Sequence, residues 1–148
     1  MIKFETIEGV DDSYLPSCKT TLSAGLDIKT TEELTINPKE TIKVSTGVKI
    51  KDCDPSLYLE CFLRSSMRFK FGLTQLGVGV IDGDYRGEII VLIHNTSKYI
   101  RSIKKGDRVA QLVVKENLTQ KYAGEYCEEG ERVGGFGSTN LDNMGTID

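Results

Sequence analysis

Apolar residues fall at alternate positions in short runs, as in Leu57, Leu59, Cys61 and Leu63, and each run stops at a cluster of turn residues. A period of two marks strands, because successive side chains leave opposite faces. The runs predict strands over Lys3 to Glu8, Leu26 to Thr30, Glu33 to Ile36, Thr41 to Lys51, Leu57 to Leu63, Gly79 to Ile81, Glu88 to His94, Tyr99 to Ile103 and Arg108 to Val114. Asn37-Pro38, Asp54-Pro55, Asp82-Gly83 and Lys105-Gly106-Asp107 supply the turn chemistry between them. Ile89 to Ile93 is apolar throughout, which predicts a central strand covered on both faces. The pattern leaves room for one short helix at most, in Ser65 to Phe71. Strands spaced by about eight to twelve residues read as an all-β sandwich or jelly roll.

Past Leu118 the pattern changes. Glu125, Glu128, Glu129 and Glu131 form an acidic patch, and Gly134-Gly135-Phe136-Gly137-Ser138-Thr139-Asn140 follows it. Such glycine-rich backbone carries a large ordering entropy, so residues 1–118 are read as the core and residues 119–148 as a C-terminal arm with a disordered end. With 148 residues, a single domain can bury a core without disulfides or metals. The net charge of −3 gives no bulk reason to bind nucleic acid or a membrane surface, so an anionic ligand must be held locally. The longest apolar run, Ile89 to Ile93, is far below the ~20 residues of a membrane span. Met1 to Glu5 lacks a basic-then-apolar leader pattern, and the chain reads as intracellular and cytoplasmic. Cys18, Cys53, Cys61 and Cys127 are irregularly spaced beside a single histidine, His94, which gives a zinc site little support. Cys61 is expected in the core and His94 on a strand.

Five patches join glycine to polar or charged residues: Ser23-Ala24-Gly25-Leu26-Asp27; Arg64-Ser65-Ser66; the stretch from Gly77 to Gly87; Gly106-Asp107-Arg108-Val109-Ala110-Gln111; and Gly134 to Asn140. Singly each could be a turn or a bulge. Together, and in this order, they resemble the five motifs of the trimeric dUTPase family over nearly the whole span from Ser23 to Asn140. Most specific are Gly79-Val80-Ile81-Asp82 followed by Tyr85-Arg86-Gly87, then Gly106 to Leu112, then Phe136-Gly137-Ser138-Thr139.

The resemblance implies a distorted jelly-roll subunit, a homotrimer with sites at subunit interfaces, and Mg²⁺-dependent hydrolysis of dUTP to dUMP and pyrophosphate. It assigns Asp82 as the general base for a water attacking the α-phosphorus, a role a carboxylate in a strand-end turn can fill. Tyr85 is expected against the deoxyribose, where a ribose 2′-hydroxyl would clash. Uracil is expected to meet backbone groups around Gly77 and Gly79 and near Ile90. Arg64, Ser65 and Ser66 are assigned to phosphates, Gln111 to the α-phosphate region, and Arg132, Ser138 and Thr139 to the β and γ groups. Phe136, beside Gly137, is expected to stack over uracil. Asp27 is assigned to Mg²⁺ through water, since this ion keeps much of its hydration.

The chain departs from common members at Leu63-Arg64-Ser65-Ser66, where Pro-Arg-Ser-Gly is frequent, at Arg132-Val133 in place of Arg-Gly, and in a one-residue-shorter step to Phe136. A dCTP-deaminase reading fails because the proton-shuttling glutamate of those enzymes would fall at Leu92. An idle binding protein would need neither Asp82 nor Phe136, although a regulatory protein partner alongside catalysis stays open.

Overall fold

The computed structural model describes residues 1–128. Among the described residues ten strands and two short α-helices run in the order β1 (Ile2–Thr6), β2 (Gly25–Lys29), β3 (Leu34–Ile36), β4 (Thr41–Cys53), β5 (Leu57–Leu63), α1 (Ser65–Phe71), β6 (Leu73–Thr74), β7 (Gly79–Ile81), β8 (Glu88–Asn95), β9 (Arg101–Ile103), β10 (Arg108–Glu116) and α2 (Thr119–Ala123). One antiparallel sheet has the order β1-β4-β8-β6, a second has β2-β10-β5-β7, and β3 pairs with β9. The bounds of β5, β7 and α1 coincide with those read from the sequence.

Alternation explains how the two sheets meet. Val44, Val48 and Ile50 of β4, Ile89, Val91 and Ile93 of β8, Leu59 of β5 and Leu112 of β10 are all fully or almost fully buried and form one cluster. Each such side chain stabilises the fold by roughly 1.5–3 kcal/mol through burial. A slip of one residue would turn that set toward solvent, so the hydrophobic pattern fixes the register. Cys61 sits in the core as expected, with 3% of its surface exposed, and burial pushes its thiol up to about 12. His94 is a β8 residue bonded at Nδ1 to the Thr41 hydroxyl at 2.9 Å.

Three differences from the sequence reading have physical causes. β8 is central but not covered equally: Ile90, Leu92 and His94 on its second face are only half-buried. A second short helix, α2, adds to the one expected; none of its five residues is buried, so no apolar stripe announced it. Strand β9 begins at Arg101 rather than Tyr99, because the Tyr99 carbonyl is taken by the Asn95 side-chain amide at 2.7 Å instead of a strand partner. No helix among the described residues is long and apolar enough to cross a membrane.

Candidate active site

Strand β10 lies between β2 and β5, and its register sets Gln111 opposite both Asp27 of β2 and Phe62 of β5. Gln111 lies over Gly25, where a Cβ would come within 2.4 Å of its Oε1, so the small residue makes room for the amide. The Asp27 carboxylate, 18% exposed, is flanked by two guanidiniums: Arg64 Nε lies 3.9 Å from Oδ1 and Arg108 Nε lies 3.8 Å from Oδ2. Two cations against one anion leave an excess of positive charge, suited to an anionic ligand. Arg64 is held by its backbone as well, since its N–H donates to the Val109 carbonyl at 3.0 Å and carries the β5–β10 pairing past Leu63. It then stands at the N-cap of α1, with Ser65 and Ser66 in the first turn, and Gly72 closes the helix in the left-handed region at φ 64°. Asp27, Arg64 and Gln111, all singled out in the sequence, therefore share one end of the sheet. Arg108 completes the group; it was legible only as part of the Gly106 to Gln111 patch.

The connection between β6 and β7, which crosses from one sheet to the other, is tied to the same end. The Gln75 side chain accepts from the Leu63 N–H at 2.9 Å and donates to the Cys61 carbonyl at 3.0 Å, standing in for a strand beside β5. Nothing in the local pattern marked Gln75 for this task. Gly77 adopts φ 84°, a conformation that strains other residues, while Gly79 pairs with Cys61. Ile90 belongs to the other sheet, on the half-buried face of β8.

Asp82 and Tyr85 lie elsewhere. Ile81, the last residue of β7, is opposite Leu59, five residues before Arg64. At about 3.3 Å per residue that is roughly 17 Å along the strand. Gly83 is wedged against the beginning of β5: a Cβ there would meet the Leu57 carbonyl at 2.8 Å and Cys53 Sγ at 2.9 Å. The turn closes through Tyr85 N–H to the Asp82 carbonyl at 3.0 Å, and Arg86 folds back to donate to the Gly83 carbonyl at 2.7 Å. Asp82 is half-buried while Asp84 is exposed, in keeping with Asp84 as the plain turn residue. A groove of about 810 Å³ opens at this end, lined by Asp82, Arg86, Tyr58 and Asn117 among others. Cys53 also lines it, and burial holds its thiol above the ordinary value.

One chain thus brings Asp27, Arg64, Ser65, Ser66 and Gln111 to one end of β5 and carries Asp82 and Tyr85 to the other. Arg132, Phe136, Gly137, Ser138 and Thr139 lie outside the described residues. Among the described residues all four cysteines are free thiols, and no three His, Cys, Asp or Glu side chains converge as a metal cage.

The dUTPase family model matches residues 11–140. A deoxyuridine 5′-triphosphate nucleotidohydrolase of Desulfitobacterium hafniense is 39% identical over 132 residues, covering 86% of this chain and 87% of the relative. One from Paramecium bursaria Chlorella virus 1 is 36% identical over 134 residues, covering 89% and 94%. Among solved structures, the dUTPase of Streptococcus mutans superposes with a TM-score of 0.71 at 34% identity, over 76% of this chain and 94% of that one. The structure described as native EIAV dUTPase gives 0.68 at 26% identity, over 88% and 98%.

Proposed function

Because the chain belongs to the dUTPase family and hydrolyses dUTP to dUMP, we propose that Asp82 activates the attacking water within a site assembled from more than one copy of the chain. The observation that carries this reading is the pair of half-sites at opposite ends of β5. In the anion cradle of Asp27, Arg64 and Gln111 the Asp27 carboxylate is engaged by two guanidiniums, while the Asp82 turn lies beyond the roughly 17 Å that separate Ile81 from the Arg64 end. Two different patches that must meet make a head-to-tail contact, which closes as a ring; the family resemblance makes that ring a homotrimer. The half-buried face of Ile90 and Leu92, with Val78 and Val80 more than half exposed, supplies apolar surface for such contacts.

In the assembled site the Arg64 guanidinium and the Ser65 and Ser66 hydroxyls hold the phosphates of dUTP, and Gln111 addresses the α-phosphate. The Asp82 carboxylate accepts a proton from water as the water oxygen bonds to the α-phosphorus. The bond from that phosphorus to the bridging oxygen breaks, and pyrophosphate leaves. Tyr85 walls the deoxyribose, backbone around Gly77, Gly79 and Ile90 reads uracil, Phe136 with its neighbour Gly137 covers the base, and Arg132, Ser138 and Thr139 serve the β and γ groups.

The residues fit Mg²⁺ as an ion that arrives with the nucleotide, because Asp27 is a single carboxylate with two arginine partners and could hold it only through water. When bound, Mg²⁺ neutralises charge on the phosphate oxygens. The test is a nucleotide panel with product identification. In Mg²⁺ buffer the protein should release pyrophosphate and dUMP from dUTP while leaving dTTP, UTP and dCTP largely intact, and a flat dUTP trace refutes the assignment.

A further inference from the structure

We propose that Glu88 is a positioning residue that fixes the Tyr85 ring and thereby sets discrimination against ribonucleotides; this rests on the reading of Tyr85 as the wall beside the deoxyribose. The argument begins in the pairing of β4 with β8. Ser45 is opposite Ile90 and Lys49 is opposite Glu88, so β4 spends four residues where β8 spends two. The excess forms a bulge at Thr46, Gly47 and Val48, which pulls the Gly47 N–H out of the regular ladder. Gly47 adopts φ 71°, and a Cβ on it would come within 2.8 Å of both Thr31 and Val10, so this bulge is built around glycine.

Glu88 Oε2 accepts the Gly47 N–H at 2.8 Å and the Ser45 hydroxyl at 2.5 Å, and Ser45 Oγ in turn accepts from the Thr31 hydroxyl at 2.8 Å. The side chain of Glu88 is therefore anchored in the bulge of the neighbouring strand. Its main-chain carbonyl accepts the Tyr85 hydroxyl at 2.9 Å. The far end of the tyrosine ring is tied to a backbone atom whose own residue is bolted to β4. A steric wall against one extra hydroxyl works only if the ring is held within about 0.5 Å, and such precision comes from bonds of this kind behind the wall.

The experiment compares kcat/KM for dUTP and UTP in the full-length protein and its variants. Tyr85→Phe removes the tether and keeps the ring; Glu88→Ala removes the anchor. Each is expected to lower the dUTP-to-UTP ratio by about three- to tenfold, the scale of one hydrogen bond, chiefly by raising turnover of UTP. Both donors converge on the same oxygen, which an amide oxygen can replace, so Glu88→Gln should restore the ratio to within about twofold of the parent. Loss of activity on both nucleotides with an unchanged ratio, or equal behaviour of Glu88→Ala and Glu88→Gln, overturns the proposal. Should Glu88→Ala fail to fold, Ser45→Ala deletes one bond of the anchor and should lower the ratio by about twofold; an unchanged ratio in both Ser45→Ala and Tyr85→Phe overturns it equally. Tyr85→Ala separates the two layers. If it collapses the ratio while Tyr85→Phe and Glu88→Ala do not, only the role of Glu88 fails; if it leaves the ratio intact, the reading of Tyr85 fails and the proposal falls with it.

Discussion

The two ends of β5 are built by different means. At the Arg64 end, ladder pairing does the positioning: Gln111 is fixed between Asp27 and Phe62 by register, and the Arg64 N–H continues the ladder onto Val109. At the Leu57 end a turn does it, with Gly83 wedged against β5 and Tyr85 tied back to Asp82 and Glu88. Holding several phosphates asks for donors in a fixed array, which adjacent strands provide. Aiming one carboxylate and one ring asks for side chains thrown clear of the sheet, which a tight turn provides. On the proposed reading neither end is a whole site, and activity depends on assembly.

Substitutions at each end should separate the two tasks. The largest effect is expected from Asp82→Asn, with a loss of at least about 10²-fold in single-turnover rate while dUTP affinity by calorimetry stays within a few-fold. Arg64→Ala should cost about 10- to 100-fold in kcat/KM, the scale of a charge-assisted contact, and should appear mainly as weaker binding. Gly83→Ala forces a Cβ to within 2.8 Å of the Leu57 carbonyl and should lower stability in urea by about 1–3 kcal/mol. Gly77→Ala, at φ 84° with nothing within 4 Å, meets only backbone strain of about 1 kcal/mol. A buried residue near the middle of the strand gives the mildest signal. Burial raises the Cys61 thiol from 9.0 to about 12, so its contribution is fully present below pH 9 and is lost as pH rises toward 12. Cys61→Ala should leave the pH dependence of stability unchanged near neutrality and flatten its alkaline fall.

Much of this was readable in the chain itself. Alternation and turn residues gave β5 and β7 their bounds, and the helix at Ser65–Phe71 emerged between them. Strand β6, two residues long, is too short to show alternation, and α2 buries nothing that would mark a face. Asp82, Tyr85, Asp27, Arg64 and Gln111 were visible through their motifs. Their division between two ends was not, because it depends on Ile81 pairing with Leu59, a long-range register that no local pattern encodes. The same holds for Gln75, whose side chain substitutes for a strand, and for Glu88, whose partners Ser45 and Gly47 lie more than forty residues away.

Mixing two impaired chains tests the divided site most directly. Asp82→Asn and Arg64→Ala chains, each lowered at least about tenfold in kcat/KM alone, would be co-expressed at equal levels, purified as mixed oligomers and compared by kcat/KM. If the base comes from one copy and the cradle from the next, about a quarter of the sites in a randomly mixed ring regain both intact residues, and activity rises to about that fraction of the parent. Mixed oligomers no more active than the two variants alone would place both halves of the site within a single chain and contradict the account.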